Sequence, residues 1–362
     1  MQKEAERKSN DGDALEGIVT INGKGVGIFR HEKYENGVII PAGNTSIALH
    51  GDTVRINITK KSKEGTEGKI VSVTKRARTT FGGTVFSTDN NLFINPDNYR
   101  IHEPLLSSKG KYEIDDKVLF KLTNWNEKEE YPSADVIEVI GKKGVHETEM
   151  RSIVLDRGFQ TGFPKEVEDE AHKVKETTLA SWSEEIAKRR DFRNITTLTI
   201  DPVDAKDFDD AISFRELENG DYEIGVHIAD VSHFVTPGTL LDKEAEKRGT
   251  SIYLVDRTIP MLPEVLSNDL CSLNPHEEKL AFSAVFVMNK NAKVIERWFG
   301  KTVIKSDKRF TYEDAQDRIV SKSGEFAHEI NILNDLAKKM LGERTAKGAI
   351  SFETDEVKFV LD

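Results

Sequence analysis

Five aspartates fall within ten residues near the middle of this 362-residue chain. They are Asp201, Asp204, Asp207, Asp209 and Asp210. Carboxylates so close together raise one another's pKa and make a compact fold costly unless a positive charge compensates them. Hard oxygen donors in this number suit Mg²⁺ or Mn²⁺. The run therefore predicts a loop that folds around a divalent cation.

The residues on either side of the run place this loop at the edge of a β-sheet. Residues 196–200 are β-branched or apolar and predict a short buried strand. Residues 211–214 and 222–228 predict two more strands, joined by a turn at 218–221. Pro202 stiffens the start of the loop, as a preorganised metal site requires. We therefore expect the carboxylates at the lip of a sheet, open to a metal ion and a phosphate group.

Composition alone leaves two simpler interpretations open: an acidic surface loop and a structural Ca²⁺ site. An EF-hand is disfavoured, because the run lacks the glycine and the glutamate at the sixth and twelfth positions of that loop. We interpret His227 and His233 as structural, since the donors here are hard oxygens. Cys271 lies in an apolar stretch and is expected to be a buried packing residue.

The overall composition is that of a soluble protein of two or three domains, with 37% hydrophobic and 32% charged residues. No run approaches 18 apolar residues, and the first residues do not have the pattern of a signal peptide. A single cysteine excludes an internal disulfide and favours a reducing compartment. We therefore expect a cytoplasmic protein without a membrane segment.

The net charge of −11 is unevenly distributed. Residues 1–80 contain 14 Lys and Arg against 10 Asp and Glu, a balance of +4 that leaves −15 for the remainder. Basic runs at 60–63 and 75–78 are either phosphate contacts or solvated loop charges. The acidity of the whole chain therefore does not exclude a nucleic-acid ligand.

The first 145 residues contain a repeat with a period of about 65. Residues 17–20, 50–56 and 68–73 match residues 83–86, 115–120 and 134–139, respectively. Each unit has short alternating strands separated by turn residues, which is typical of a small closed barrel of the oligonucleotide-binding (OB) or cold-shock type.

Residues 24–29 resemble the glycine-aromatic strand with which cold-shock barrels stack bases. This makes Phe29 a candidate RNA-binding residue, with Phe81, Phe86 and Phe93 as further candidates. A core position is the competing interpretation for each of them. After the repeat, residues 146–195 predict a connecting segment and a helix, and from residue 196 onward predicted strands are followed by helices.

Two long motifs in this chain carry a family resemblance. The first is the acidic segment 201–211, which reads Asp-Pro-x-x-Ala-x-Asp-x-Asp-Asp-Ala. The second extends over 248–275, with Arg-Gly-Thr-Ser-Ile-Tyr, then Ile-Pro-Met-Leu-Pro-Glu-Val-Leu-Ser-Asn, and then Leu-Cys-Ser-Leu-Asn-Pro. Both resemble the ribonuclease II/ribonuclease R (RNB) exoribonucleases, and ribonuclease R more closely. The resemblance implies a multidomain β and α/β protein: two N-terminal OB/cold-shock barrels (1–79 and 80–145), a connector (146–195) and the N-terminal part of a mixed α/β RNB catalytic domain (196–362).

The resemblance also implies roles for individual residues. Asp201 and Asp210 are expected to be direct metal ligands, Asp207 to assist them, and Asp209 to bind metal and to be the residue most critical to the chemical step. Asp204 falls outside the family's acidic pattern and is expected to be solvated. Tyr253 is expected to pack against the terminal nucleotide, with Phe352 as a second aromatic clamp or, alternatively, a core residue.

The implied function is a 3′→5′ exoribonuclease that hydrolyses single-stranded RNA to nucleoside 5′-monophosphates in RNA turnover, with Mg²⁺ or Mn²⁺ and no organic cofactor. A monomer is expected. The chain stops inside the family's catalytic domain, so we expect a truncated member. Two alternatives remain: a catalytically inert RNA-binding protein that uses the tandem barrels, and a metal phosphatase for small substrates, which leaves the barrels without a purpose.

Overall fold

The computed structural model describes residues 15–62, 65–89, 91–101, 103–108, 110–125 and 130–350. The chain divides into two compact units, Met1–Thr161 and Gly162–Asp362. In the described part of the chain, no helix combines the length and the apolar character that crossing a bilayer requires.

The first unit contains two closed five-stranded barrels, which confirms the predicted repeat. Barrel 1 has the strand order β1-β2-β3-β5-β4, and barrel 2 repeats it as β6-β7-β8-β10-β9. The strands of barrel 1 are β1 (Leu15–Ile21), β2 (Gly27–His31), β3 (Tyr34–Ile40), β4 (Thr53–Ser62) and β5 (Gly65–Lys75). Those of barrel 2 are β6 (Thr80–Thr88), β7 (Asn91–Pro96), β8 (Leu105–Ser107), β9 (Asp116–Asn124) and β10 (Ser133–Lys142). In each barrel the third and fifth strands pair in parallel, as the OB topology requires.

The prediction that Phe29 stacks on RNA is wrong, because its ring faces the interior of barrel 1. Phe29 is 0% exposed and lies in the barrel core. Its ring occupies space left by Gly17, where an added Cβ would lie 2.8 Å from the ring Cζ. The neighbours of Phe29 on the same strand, Ile28 and Arg30, face solvent instead. Because successive side chains on a strand point to opposite faces, Phe29 points into the barrel and belongs to its core.

A buried aspartate stabilises the same position of both barrels, next to the start of the fourth strand. Asp52 and Asp116 each accept a hydrogen bond from the backbone N–H three residues earlier, at 2.8 and 2.7 Å. Each also pairs with a basic residue near the end of the fifth strand, Arg76 at 2.6 Å and Lys142 at 2.7 Å. Although burial opposes it, the Lys142 ammonium and the backbone N–H together lower the pKa of Asp116. The two barrels thus share a buried aspartate paired with a basic residue, as well as a strand order.

The second unit contains a seven-stranded mixed sheet in the order β11-β18-β17-β14-β13-β12-β19. Its strands are β11 (Arg190–Asp191), β12 (Thr197–Asp201), β13 (Asp210–Glu216), β14 (Tyr222–Ala229), β17 (Glu278–Met288), β18 (Val294–Lys305) and β19 (Lys308–Thr311). A small hairpin of β15 (Ile252–Tyr253) and β16 (Thr258–Ile259) and a π-helical turn (Val265–Leu270) lie between β14 and β17 in the chain. The predicted strands on both sides of the acidic run are therefore confirmed.

Seven α-helices accompany the barrels and the sheet in the described residues. They are α1 (His146–Asp156), α2 (Lys165–Ala180), α3 (Trp182–Ile186), α4 (Val231–Phe234), α5 (Leu240–Arg248), α6 (Tyr312–Ser321) and α7 (Ala327–Ala346). On α7, Ile330 and Leu336 are buried, whereas Met340 and Leu341 are 44% and 61% exposed. The apolar side chains of α7 are therefore buried in its N-terminal part and exposed towards its C-terminal end.

The segment 146–195, predicted to be one connector, is divided between the two units. Helix α1 packs on barrel 2, since Ser152 donates to Asp97 and the Asp156 carboxylate accepts from the N–H of Gly82 at 2.9 Å. Helix α2 contributes Val167 to the core of the second unit. The division follows from these contacts, which residue composition does not reveal.

We predict that Asp116→Asn destabilises the first unit by about 1–3 kcal/mol at neutral pH, because a buried charge-assisted hydrogen bond is lost. Since the folded-state pKa of Asp116 lies below its ordinary value of 3.8, its stabilising effect is present above that value and disappears as the pH falls through the folded-state pKa. Thermal unfolding at several pH values measures both effects. The exposed Asp135 of β10 provides the control Asp135→Asn, which should unfold like the unaltered chain. An equal loss in both variants would contradict the assignment.

Candidate active site

The acidic run forms the loop between β12 and β13. Asp201 is the last residue of β12, and Asp210 is the first residue of β13. These two strands are antiparallel neighbours, and β19 pairs in parallel with the other edge of β12. The chain therefore leaves the sheet and re-enters it at the same end, which brings the first and last carboxylates of the run towards each other.

Hydrogen bonds on Phe208 fasten the middle of the loop to the segment that carries the second sequence motif. The N–H of Phe208 donates to Ser272 Oγ at 3.0 Å, and its carbonyl accepts from the N–H of Leu273 at 2.9 Å. Ser272 Oγ donates in turn to the carbonyl of Lys206 at 3.2 Å. The Phe208 side chain is buried in the same core as Leu273. Two motifs that are far apart in the sequence thus meet and fix the loop backbone.

Arg309 on β19 holds the start of the loop, and the sequence analysis did not identify it. One Nη atom donates to the carbonyls of Pro202 and Val203, at 2.5 and 2.8 Å. The guanidinium carbon also lies 5.5 Å from the centroid of the Phe208 ring. A lone arginine more than 90 residues from the acidic run carries no local signal. Only the parallel pairing of β12 with β19 brings it to the loop.

Asp201 is the most constrained carboxylate of the loop. Its Oδ2 atom is buried and, within the described residues, has no hydrogen-bond partner. Burial raises the pKa of Asp201, and the charges of Asp210 and Asp207 raise it further, whereas Thr199 and Arg309 lower it. Asp201 therefore lacks a counter-charge strong enough to offset its removal from water.

Asp209 is in the same electrostatic situation. Its pKa is raised by partial removal from water and then by Asp207, Asp210 and Asp201, in that order. The four carboxylates assigned to metal binding therefore interact with one another. Asp204 is exposed, as predicted, and does not contribute to these shifts.

The donor set fits a hard divalent cation in its chemistry, because it consists of carboxylates, one of which has a buried oxygen without a partner in the described part of the chain. As they stand, no three or more His, Cys, Asp or Glu side chains among the described residues come close enough to hold a metal ion. A cation would therefore have to draw the side chains of Asp201, Asp207, Asp209 and Asp210 together. Their mutual repulsion without a cation is a physical reason for their separation.

Tyr253 lies beside this loop, where the resemblance placed an RNA-stacking residue. Helix α5 ends at Arg248, and the next residue, Gly249, has a φ of 71° in the left-handed region, which lets the chain turn into the β15–β16 hairpin. The Tyr253 side chain is 70% exposed. Its pKa is raised by partial removal of the hydroxyl from water and then by the charges of Asp207 and Asp209. An exposed aromatic ring is thus within electrostatic reach of the carboxylates.

The remaining sequence predictions have mixed outcomes. Phe352 lies outside the described residues. His227 is structural, as predicted: it is buried between the hydroxyls of Ser283 and Ser213, at 2.6 and 2.8 Å, and burial lowers its pKa to about 4. Cys271 is buried as well, which raises the pKa of its thiol to about 12 and leaves it unreactive.

Three protein-family models match the chain. The Ribonuclease B OB domain matches residues 17–73, the Cold shock domain matches 93–164, and the RNB domain matches 189–362. The chain belongs to the ribonuclease II/ribonuclease R (RNB) family. Its two OB-type barrels are followed by the RNB domain, whose acidic loop and Tyr253 hairpin are described above.

Individual relatives show how far the similarity extends. Ribonuclease R 1 of Lactococcus lactis subsp. lactis is 34% identical over 371 residues, covering 96% of this chain and 45% of the relative. DIS3-like exonuclease 2 of Schizosaccharomyces pombe is 42% identical over 259 residues, 67% of this chain and 28% of the relative. The structure of Mycoplasma genitalium RNase R in complex with ribose methylated single-stranded RNA superposes with a TM-score of 0.85 at 26% identity, covering 96% of this chain and 56% of that protein. The chain therefore spans about half of these relatives or less.

We predict that Asp209→Asn raises the melting temperature of the second unit when EDTA is present at neutral pH. The raised pKa means that the ionised Asp209 carboxylate destabilises the folded state, and that this effect is relieved as the pH falls through the folded-state value. Removing the charge should give the same relief at neutral pH, and the difference from the unaltered chain should disappear as the pH falls below the folded-state value. Calorimetric unfolding measures it, and the matched control is Asp204→Asn in the same loop, which should change little. A lower melting temperature for Asp209→Asn would refute the repulsion.

Proposed function

We propose that this chain carries the metal-binding and RNA-entry parts of a 3′→5′ exoribonuclease, which hydrolyses single-stranded RNA to nucleoside 5′-monophosphates with Mg²⁺ or Mn²⁺. The observation that supports this most directly is the set of carboxylates at the end of β12, whose charges repel one another, beside the exposed Tyr253. Family membership supports RNA degradation as the reaction class.

Each loop residue has a task that follows from its position. A divalent cation would neutralise charge on the scissile phosphate and lower the pKa of the attacking water. Asp201 and Asp210, at the two ends of the loop, would bind the cation directly, with Asp207 assisting. Asp209 would bind it too and orient the attacking water. Arg309 and Ser272 hold the loop backbone at two separate points, so only the side chains of the carboxylates would have to move to bind the cation.

Recognition of the RNA end would fall to Tyr253. Stacking on an aromatic ring is indifferent to base identity and contributes about 1–3 kcal/mol per base. Degradation without sequence preference follows from this mode of binding. The two OB-type barrels fit the same role, since barrels of this topology bind single-stranded nucleic acid.

The test is to incubate the chain with 5′-labelled single-stranded RNA in Mg²⁺ or in EDTA. We expect a ladder that shortens from the 3′ end in Mg²⁺ alone. Asp209→Asn should slow the shortening of the RNA by about a hundredfold or more, whereas Asp204→Asn should not slow it. RNA that is bound but uncut in Mg²⁺ would instead favour the second candidate, an RNA-binding protein without nuclease activity.

The role of Tyr253 is tested separately, by measuring RNA binding in the Asp209→Asn background so that cleavage does not interfere. We expect Tyr253→Ala to weaken binding of a short oligonucleotide by about 1–3 kcal/mol, and Tyr253→Phe to retain it, because the ring does the stacking. The control is Tyr312→Ala, which removes another exposed tyrosine of the same unit. Equal binding by all three variants would exclude a stacking role for Tyr253.

A further inference from the structure

A cleft of about 200 Å³ lies within the first unit, between the two barrels and the end of α1. Barrel 1 contributes His50 from the segment before β4, and barrel 2 contributes Tyr99 and Arg100 from the segment between β7 and β8. Arg78, which connects the barrels, and Arg157, which follows α1, complete the basic part of the lining. None of these residues belongs to the acidic site in the second unit.

Short-range contacts hold both walls of the cleft in place. Leu49, next to His50, is buried in the core of barrel 2, so the two barrels are packed against each other at this point. On the opposite wall, the N–H of Asp97 donates to the carbonyl of Gly82 at 2.9 Å. Two residues after Tyr99, Ile101 is buried in the barrel 2 core. The cleft is therefore preformed.

The charges in the cleft do not balance. Its two carboxylates are already paired: Asp97 with Lys117 at 2.7 Å, and Asp156 with Arg78 at 3.2 Å. Among the described residues, the guanidinium groups of Arg100 and Arg157 pair with no carboxylate, and the buried Nε of Arg100 has no hydrogen-bond partner at all. A buried guanidinium donor without an acceptor is costly, which indicates an anionic ligand.

Tyr99 provides an aromatic surface at the mouth of the same cleft. Its side chain is 65% exposed, and the guanidinium carbon of Arg100 lies 5.1 Å from the ring centroid. One edge of the ring packs against Gly23 of barrel 1, where an added Cβ would come within 2.9 Å of it. The ring is therefore fixed in orientation while most of its surface remains open. An oriented aromatic ring next to arginine is a stacking platform for a base.

We propose that this cleft binds a nucleotide, with its phosphate on Arg100 and Arg157 and its base on Tyr99. Guanidinium groups match the geometry of phosphate oxygens. The volume is below that of pockets for drug-sized ligands, about 300–1,000 Å³, so it suits a phosphate and a sugar with the base left at the exposed mouth. The nucleotide is either a free nucleoside monophosphate or one unit of an RNA strand. The first source rests on the proposed function, since that reaction releases nucleoside monophosphates.

Isothermal titration of the full chain with adenosine 5′-monophosphate and with inorganic phosphate tests this proposal. EDTA is present throughout, so a metal at the acidic loop cannot contribute, and failure of the nuclease proposal would not affect the result. We expect Arg157→Gln and the double variant Arg100→Gln/Arg157→Gln to weaken both ligands, the double variant at least tenfold. Tyr99→Ala should weaken the nucleotide but not phosphate. Arg157 is exposed, so its single variant tests the site even if Arg100→Gln disturbs the fold.

The control is Arg297→Gln, which removes an exposed arginine of the second unit and should bind as the unaltered chain does. A titration with a short single-stranded RNA distinguishes the two sources. Tighter binding of RNA than of the monophosphate, lost in the double variant, assigns the site to a nucleotide of a strand. Equal or tighter binding of the monophosphate assigns it to a free nucleotide. No saturable binding of any of the three ligands, or unchanged binding by the double variant, would overturn the proposal.

Discussion

Repulsion between carboxylates at one end of a sheet is the constraint on which the candidate active site depends. Asp201, Asp207, Asp209 and Asp210 interact unfavourably, and the pKa values of Asp201 and Asp209 are raised first by removal from water and then by these neighbouring charges. A loop under such strain would move its charges apart if its backbone were free. Hydrogen bonds to the loop backbone restrict such movement to the side chains and leave the carboxylates available.

Those hydrogen bonds bring together two sequence motifs that are distant in the chain. Ser272 and Leu273 hold Phe208 from one side, and Arg309 holds the residues after Asp201 from the other. These hydrogen bonds are made to backbone atoms of the loop, so they do not depend on what the carboxylates bind. In this arrangement the residues that hold the loop backbone are different from the carboxylates that face the candidate site.

The barrels show how closely sequence and structure agree where a pattern is local. Period-two alternation, turn residues and the repeat predicted two closed barrels, which the structure confirms, and the structure adds that the two barrels share one strand order. The same reasoning was wrong for Phe29, because an aromatic residue on a strand can face either way, and only the closure of the barrel decides which face is inside. The segment 146–195 is divided between the two units for a similar reason, since the contacts of α1 with barrel 2 involve residues more than 50 positions away.

By itself, the sequence determined the family, the tandem barrels, the strands on both sides of the acidic loop and the identity of its carboxylates. These depend on residues close together in the chain, so their spacing is enough to predict them. The tertiary structure decided which residues hold the loop, where Tyr253 lies relative to Asp207 and Asp209, and that Arg100 and Arg157 share a cleft with Tyr99. Each of these depends on strand pairing or packing between distant segments. Such contacts leave no periodic signal in one sequence, because they are set by the free energy of the whole fold.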